Sequence, residues 1–468
     1  MPLDFPSMDR ALSPKAVAVI GDRPSRGHAF LPALVRLKGN LYSVQSDPRV
    51  VPVIEKLGVR NYTSLDQVPE HIDYAIIAVS RKYAAEALRE CVRNKVGAVS
   101  MYTAGYAETG TQEGVLAQEE IRRMAKEAGL ILLGPNCMGL HNPSAGVCYL
   151  KDQPVYEGGR VGFATQSGSH GNTFSFAAPY NGLPITKLIG FGNGVVLESA
   201  DYLEFFAADP KTEAIALYIE SLRDGPRFFR LLRSVTPKKP VVIWKGGQTE
   251  DGKRAAASHT AALAESMDLW RVAARQTGAI LTSSLEETID TLKALLRLPR
   301  FREGRCGLAG GMGGQGVSNA DAFAKVGLRV PPLSNNSHDE LGKFFNVVGA
   351  GFTNPIDVGS NRREIDSILG IVAQDPGIDV IAVQIGLLSL DRAQVQEDLV
   401  AAMERLAKRT SKPIIAIPHS PTPYADATAL RQFEERLGAA GIPSFPSYDR
   451  AATALRNALE YYRFLEGA

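Results

Sequence analysis

GRVGFATQSGSHGN, residues 159–172, runs from a basic residue through a short apolar strand and a glycine-rich turn into the start of a helix. The same order of parts returns as GRCGLAGGMGGQGV at residues 304–317. Each copy leads to a second strand, AIALYIE (214–220) against VIAVQIG (380–386), and then to a third, KKPVVIWKG (238–246) against SKPIIAIPH (411–419). Continuous apolar runs bounded by glycine and followed by amphipathic segments are the pattern of parallel strands covered on both faces. The repeat therefore reads as a duplicated α/β unit.

Upstream of it the same alternation occurs. AVAVIG (16–21), DYAIIAVS (73–80), VGAVSMYTAG (96–105) and LILLGPNC (130–137) are separated by helical stretches such as KYAAEALRECVRN and VLAQEEIRRMAKEAG. LRLPRFREGR (296–305) combines proline and charge without apolar period and reads as a linker. Three α/β domains are expected, at 1–150, 151–300 and 301–468.

Composition narrows the partners. The 468 residues are 45% hydrophobic and 22% charged, with a formal charge of +2, a balance that points to neither nucleic acid nor an anionic membrane. MPLDFPSMDR has no apolar leader core, and no apolar run is long enough for a span, so a cytoplasmic protein is expected. Cys91, Cys137, Cys148 and Cys306 lie far apart, without the close pairs of a zinc site, and no metal site is expected.

The two copies differ where chemistry would sit. Glu220 aligns with Gly386 and Lys245 with Pro418, while KRAAASHTAAL (253–263), which carries His259, has no counterpart in the second copy. In open parallel sheets ligands gather beyond the carboxyl ends of the strands, where Glu220, Lys245 and the TQSGSHGN turn should emerge. Backbone N–H groups at the helix start, with the small residues Ser167, Gly168 and Ser169 allowing close approach, favour a phosphate. A neutral imidazole is nucleophilic, and a carboxylate on its other nitrogen stabilises the charge that develops during attack. His259, expected on a loop, and Glu220 thus suit phosphoryl transfer, although a surface histidine and a solvated strand-end acid fit the local sequence too.

KGGQTEDGKRAAASHTAALAES (245–266) resembles the phosphohistidine segment of the NDP-forming acyl-CoA synthetases, relatives of succinyl-CoA synthetase. LLGPNCMGLHNP (132–143) resembles the family's G-P-N-C-x-G-x-x-N-P segment, TAGYAETG (103–110) its S-A-G-F-A-E stretch and QSGSHG its Q-S-G-A-L-G turn. GFGNG (190–194), YIESLRDGPRF (218–228), GGMGGQGVSNADAF (310–323) and TNPIDVG (353–359) continue the likeness in order. It implies a Rossmann-like coenzyme A-binding domain followed by two flavodoxin-like parallel-sheet domains. His259 would accept a phosphoryl group from an acyl phosphate while Glu220 holds its imidazole, and Ser167, Gly168 and Ser169 would cradle the phosphate. Coenzyme A would lie against Gly21, Arg23, Ser25, Arg26, Ser80, Thr103, Ala104, Gly105, Pro135, Asn136 and Cys137.

No stretch resembles the family's ATP-grasp half. A separate ATP-grasp beta subunit carrying ATP or ADP and Mg is therefore implied, in a hetero-oligomer that acts on a small carboxylic acid. The competing class is a non-enzymatic acyl-CoA-binding regulatory protein of the same fold. A nicotinamide dehydrogenase is disfavoured because VIGDRPSRGHAF (19–30) lacks the second glycine of G-x-G-x-x-G. That turn also departs from the acyl-CoA synthetase pattern, with Asp22 where alanine is usual. SVQSD (43–47) lacks the lysine of V-N-P-K and has Asp47, with Arg23, Arg26 and Arg49 as candidate compensating cations. Ser80 replaces the proline of A-V-P, Ala261 and Glu265 replace glycines, and His170 replaces a leucine beside the phosphate turn, where it would line an acid-specific pocket or act as a supporting polar group. Cys137 reads as a packed residue. The glycines at 310–314 cradle a phosphate or let a loop pack.

Overall fold

The continuous apolar runs become parallel strands. A computed structural model describes residues 4–22, 30–260, 266–310, 313–359, 361–386, 393–419 and 427–467, the side chains at 256–260, 393–396, 419 and 427–429 excepted. It divides into two compact units, Met1–Thr288 and Ile289–Ala468.

The first unit contains two six-stranded sheets. In the first, β1 (Ala16–Gly21), β2 (Asn40–Val44), β3 (Arg60–Tyr62), β4 (Tyr74–Ala78), β5 (Ala98–Met101) and β6 (Ile131–Leu133) lie in the order β3-β2-β1-β4-β5-β6, all parallel. This is the doubly wound order whose reversal point, between β1 and β4, opens a crevice beyond the strand ends. Every residue of β1, β4 and β5 is buried, because helices cover both faces. The helix Arg81–Arg93 is one such cover: Ala84, Ala87, Leu88 and Cys91 recur at helical spacing and are buried, while its charged residues face outward. It stops before Asn94 and Lys95, the latter at φ 54°.

The second sheet takes β7 (Gly139–His141), β8 (Val161–Thr165), β9 (Ile185–Gly190), β10 (Ala214–Ile219), β11 (Val241–Lys245) and β12 (Ile280–Thr282) in the order β12-β11-β10-β8-β9-β7. Its five parallel strands have the flavodoxin order, with the reversal between β8 and β10. β7, which follows the first sheet's last strand, pairs antiparallel with β9 through Gly139–Gly190, Leu140–Ile189 and His141–Leu188. A segment of the first 150 residues thus closes the edge of the second sheet.

In the second unit β13 (Cys306–Ala309), β14 (Val380–Gly386) and β15 (Ile414–His419) form a parallel sheet, flanked by one-residue bridges from Ala309 to Ile356 and from Ala416 to Ser444. Ile381, Val383, Ile385, Leu369, Met403 and Leu437 fill one side of it. At its glycine-rich turn the N–H of Gly313 donates to the Asp357 carboxylate at 2.7 Å, and Gly359 donates to the other oxygen at 3.1 Å. A carboxylate of the chain itself therefore meets this helix start.

Among the described residues no helix is long and apolar enough to cross a membrane, and no group of three His, Cys, Asp or Glu side chains could hold a metal ion. The four cysteines are buried.

Candidate active site

β1 ends by crossing close over the end of β4. A Cβ on Gly21, at φ +100°, would stand 2.6 Å from the carbonyl oxygen of Ala78, so only glycine fits this crossing. The side chain of Gln45, just past β2, donates to the Gly21 carbonyl at 3.0 Å and secures the turn. Asp22 follows at φ 65°, with its carboxylate turned inward to accept the Leu31 N–H at 2.8 Å. Arg23, Ser25 and Arg26 lie outside the described residues.

Burial is the main influence on Asp22, which is 2% exposed: it pushes the carboxyl up to about 6, against the hydrogen bonds from the Leu31 and Phe30 N–H groups. In the unfolded chain the group ionises near its ordinary 3.8. Between these values the folded chain binds the extra proton, so the contribution of Asp22 to stability falls as pH rises from about 4 to about 6. It stays lower above that by roughly 3 kcal/mol. Asp22→Asn keeps an acceptor for Leu31 and removes the ionisation. Denaturant titrations should show the variant more stable than wild type at pH 8, with the difference vanishing by pH 4.

The crevice beyond the first sheet is a cavity of about 1340 Å³. Its wall includes Gly21, Ser80, Thr103, Ala104, Asn136 and Cys137 among the residues expected from the sequence, and it reaches Gln166 and Gly168 at the second sheet's phosphate turn. Gly105 and Pro135 stand behind this wall rather than in it. The Gly105 N–H donates to Glu108 at 2.7 Å. Asn136, at φ 56°, is fixed by its N–H to the Thr103 carbonyl at 3.0 Å, and its amide reaches Asn193 at 3.4 Å. Asn193 donates in turn to Glu108 and Gln118 at 2.6 and 2.9 Å. The Cys137 thiol lies against the Met101 carbonyl at 3.6 Å, and burial pushes it up to about 12. His141 bonds the Val147 carbonyl at 3.0 Å.

At the second sheet's reversal point, Ser167 caps the helix Gly168–Tyr180. Its hydroxyl accepts the His170 N–H at 3.4 Å and bonds the Ser169 hydroxyl at 3.0 Å. Gln166 ties this turn to the end of β10: its side-chain oxygen accepts the N–H groups of Glu220 at 2.6 Å and Ser221 at 3.1 Å. Glu220 is buried, and its carbonyl accepts the buried ammonium of Lys245 at 2.7 Å. Lys245 also donates to the Gly246 carbonyl at 2.6 Å, so this lysine pins the two strand ends.

Thr165, Tyr218, Trp244 and Thr282 share one rung of the sheet. Burial and the nearby Glu220 carboxylate push the Tyr218 phenol above its ordinary range, and a Cβ on Gly246 would come within 2.7 Å of that phenol oxygen and 3.1 Å of the Glu220 Cγ. Gly246 therefore leaves room for the pair. The His170 ring lies 4.4 Å from that of Tyr218 and 4.2 Å from that of Trp244; burial lowers its proton affinity and Glu220 opposes this. His170 is thus half-buried against an aromatic wall next to Glu220, and it is not part of the large cavity's wall.

The segment expected as a loop is helical. Glu250–Thr260 forms a helix that includes the backbone of His259 and packs on the short turn Ala107–Thr109. The alanine run favours a helix over the loop expected from its small residues. The side chain of His259 lies outside the described residues, as do Ala261 and Glu265. Sequence reasoning passed over Gln166, Tyr218 and Asn193; Gln166 stood inside the quoted Q-S-G turn, and its bonds to the β10 end depend on a contact far along the chain.

A coenzyme A-binding domain model matches residues 15–143, and a succinyl-CoA ligase-like flavodoxin domain model matches residues 158–295. The chain is 31% identical over 456 residues to the alpha subunit of ADP-forming acetate–CoA ligase II from Pyrococcus furiosus, covering 96% of each. It is 32% identical over 455 residues to ADP-forming acetate–CoA ligase I from Archaeoglobus fulgidus, with 96% of this chain but 63% of that protein covered. Acetyl-coenzyme A synthetase 1 from Ca. Korarchaeum cryptofilum, solved in complex with phosphate and ADP, superposes with a TM-score of 0.83 at 26% identity, covering 98% of this chain and 97% of that one.

Proposed function

Because the chain belongs to the family of ADP-forming acid–CoA ligases, we propose that it is an alpha-type subunit of such an enzyme, catalysing acyl-CoA + phosphate + ADP ⇌ acid + CoA + ATP. The observation that carries this reading is the cavity's course from the first sheet's reversal point to Gln166 and Gly168, which Gln166 links to Glu220. A long ligand held at one end by Gly21 and Ser80 and at the other by Asn136 and Gly168 would bring its reactive end to a phosphate. Coenzyme A has that shape and supplies the thiol. The three sheets are read as three domains, at 1–150, 151–300 and 301–468.

In the first step a phosphate held at Ser167, Gly168 and Ser169 attacks the thioester carbonyl. The C–S bond breaks, the thiol leaves with a proton, and an acyl phosphate forms. His259 then attacks phosphorus, the P–O bond to the acyl group breaks, and the free carboxylate departs. Glu220 stabilises the positive imidazole while the phosphoryl group is bound. Gln166 fixes the backbone of Glu220 before the reaction starts, with the Tyr218 ring beside its side chain. Transfer to ADP completes the cycle on a separate ATP-grasp subunit, which would carry the Mg as well; the relative named a subunit alpha, matched along 96% of its length, supports a two-chain enzyme.

The purified chain alone should show no ATP-dependent formation of acyl-CoA, and mixing with the ATP-grasp subunit should restore it in a coupled assay. Full turnover by this chain alone would defeat the two-subunit reading. Tight CoA binding without turnover in the mixture would favour the regulatory-protein alternative.

A further inference from the structure

We propose that Lys82 binds the 3′-phosphate on the ribose of coenzyme A and so takes over the task of the lysine missing from SVQSD. The assignment rests on the coenzyme A reading of the cavity. Strand order gives the ligand its direction. Asn136 and Cys137, past β6, lie toward one edge of the first sheet, and with Gln166 and Gly168 they form the end where a thiol must arrive. Val44, Gln45, Ser46 and Thr63, past β2 and β3, lie toward the other edge and take the nucleotide end.

Among the described residues, four that carry charge line the cavity: Arg81, Lys82, Glu86 and Glu90, all on the helix Arg81–Arg93. Three are already engaged. Arg81 donates to the Gly105 carbonyl at 2.5 Å and pairs with Glu113. Glu86 is paired with Arg89 and Arg93 at 3.1 and 3.4 Å, and Glu90 accepts the Ser64 hydroxyl and the Leu65 N–H, each at 2.6 Å. Lys82 makes no ion pair among the described residues; its ammonium stands 4.6 Å over the ring of Tyr83, another residue of the wall.

Of the three cations that sequence position puts forward, Arg23 and Arg26 lie outside the described residues and Arg49 is engaged elsewhere. Arg49 grips Asp47 through two bonds of 2.9 Å and is not in the cavity wall. A phosphate monoester carries close to two charges at neutral pH. An ammonium on a long flexible stem at the rim of an open crevice can meet such a group as a point charge without prior ordering. The bond is charge-assisted, with solvent access that keeps it modest.

Calorimetry with CoA and with 3′-dephospho-CoA tests this on the full chain. Wild type should bind CoA about tenfold more tightly than the dephospho form. Lys82→Ala and Lys82→Gln should each weaken CoA by a similar factor, leave dephospho-CoA unchanged and so erase the preference, whereas Lys82→Arg should retain most of it. Equal weakening of both ligands would move Lys82 to the diphosphate or to a structural role and overturn the assignment. Unchanged CoA affinity would overturn it as well. Failure of wild type to bind either ligand would instead refute the coenzyme A reading, and Lys82 with it.

Discussion

On the proposed role of His259 as covalent nucleophile, His259→Ala is expected to abolish ATP formation from acyl-CoA, phosphate and ADP by the chain mixed with an ATP-grasp subunit, a loss on the order of 10⁴-fold or more. The wild-type chain, incubated with its partner and ATP, takes up phosphate that is labile in acid and stable in base, because a phosphoramidate hydrolyses in acid whereas a serine ester persists. The variant takes up none. Cleavage and mass mapping of the labelled chain discriminate between His259 and His170. Label on His170, with His259→Ala still active, would reverse their roles. The wild-type ring of His170 rests against both Tyr218 and Trp244, so rotation toward an incoming phosphate would break both aromatic contacts.

Glu220→Gln slows phosphorylation of the chain by about 10²-fold in single-turnover experiments while leaving the dissociation constant of CoA within about twofold. The substitution preserves the shape of the side chain and the bond from the Glu220 N–H to Gln166. What is lost is the negative charge that, in the proposed mechanism, stabilises the developing imidazolium. A uniform fall in phosphorylation and CoA affinity would point instead to collapse of the strand ends, since Lys245 clamps the backbone of the same residue. Measuring both quantities separates the electrostatic part played by the carboxylate from the mechanical part played by its backbone.

Much of this arrangement is legible in one dimension. Strands such as AVAVIG and AIALYIE are wholly buried, so they appear as unbroken apolar runs, and the duplicated strand–turn–helix pattern marks the second and third sheets directly. The wall residues Gly21, Ser80, Thr103, Ala104, Asn136 and Cys137 follow strand ends, where the order of a parallel sheet collects them. Contacts between distant segments are less accessible. Nothing in GFGNG declares that Asn193 bonds Glu108, 85 residues away, or that Gln166 bridges to Glu220, 54 residues on. Arg49 looked like a compensating cation by position, yet a neighbour two residues away claims it. The helix at 250–260 was misjudged because small residues suit a loop and a helix equally well, and tertiary support decides between them.

The antiparallel strand Gly139–His141 has a consequence for how such a chain can be taken apart. Since it leaves the first sheet's neighbourhood to hydrogen-bond along Leu188–Gly190, a cut after residue 150 would strip the second sheet of its outermost partner and expose the polar edge of β9. The segment after the first sheet is stitched to the second sheet by main-chain bonds. A graft that exchanges the first domain for a relative's would have to bring its own copy of this stitch. An inheritance unit ending at the proline of LLGPNC would leave the recipient with an open, aggregation-prone border, whereas one ending beyond Asn142 would carry the closing seam with it.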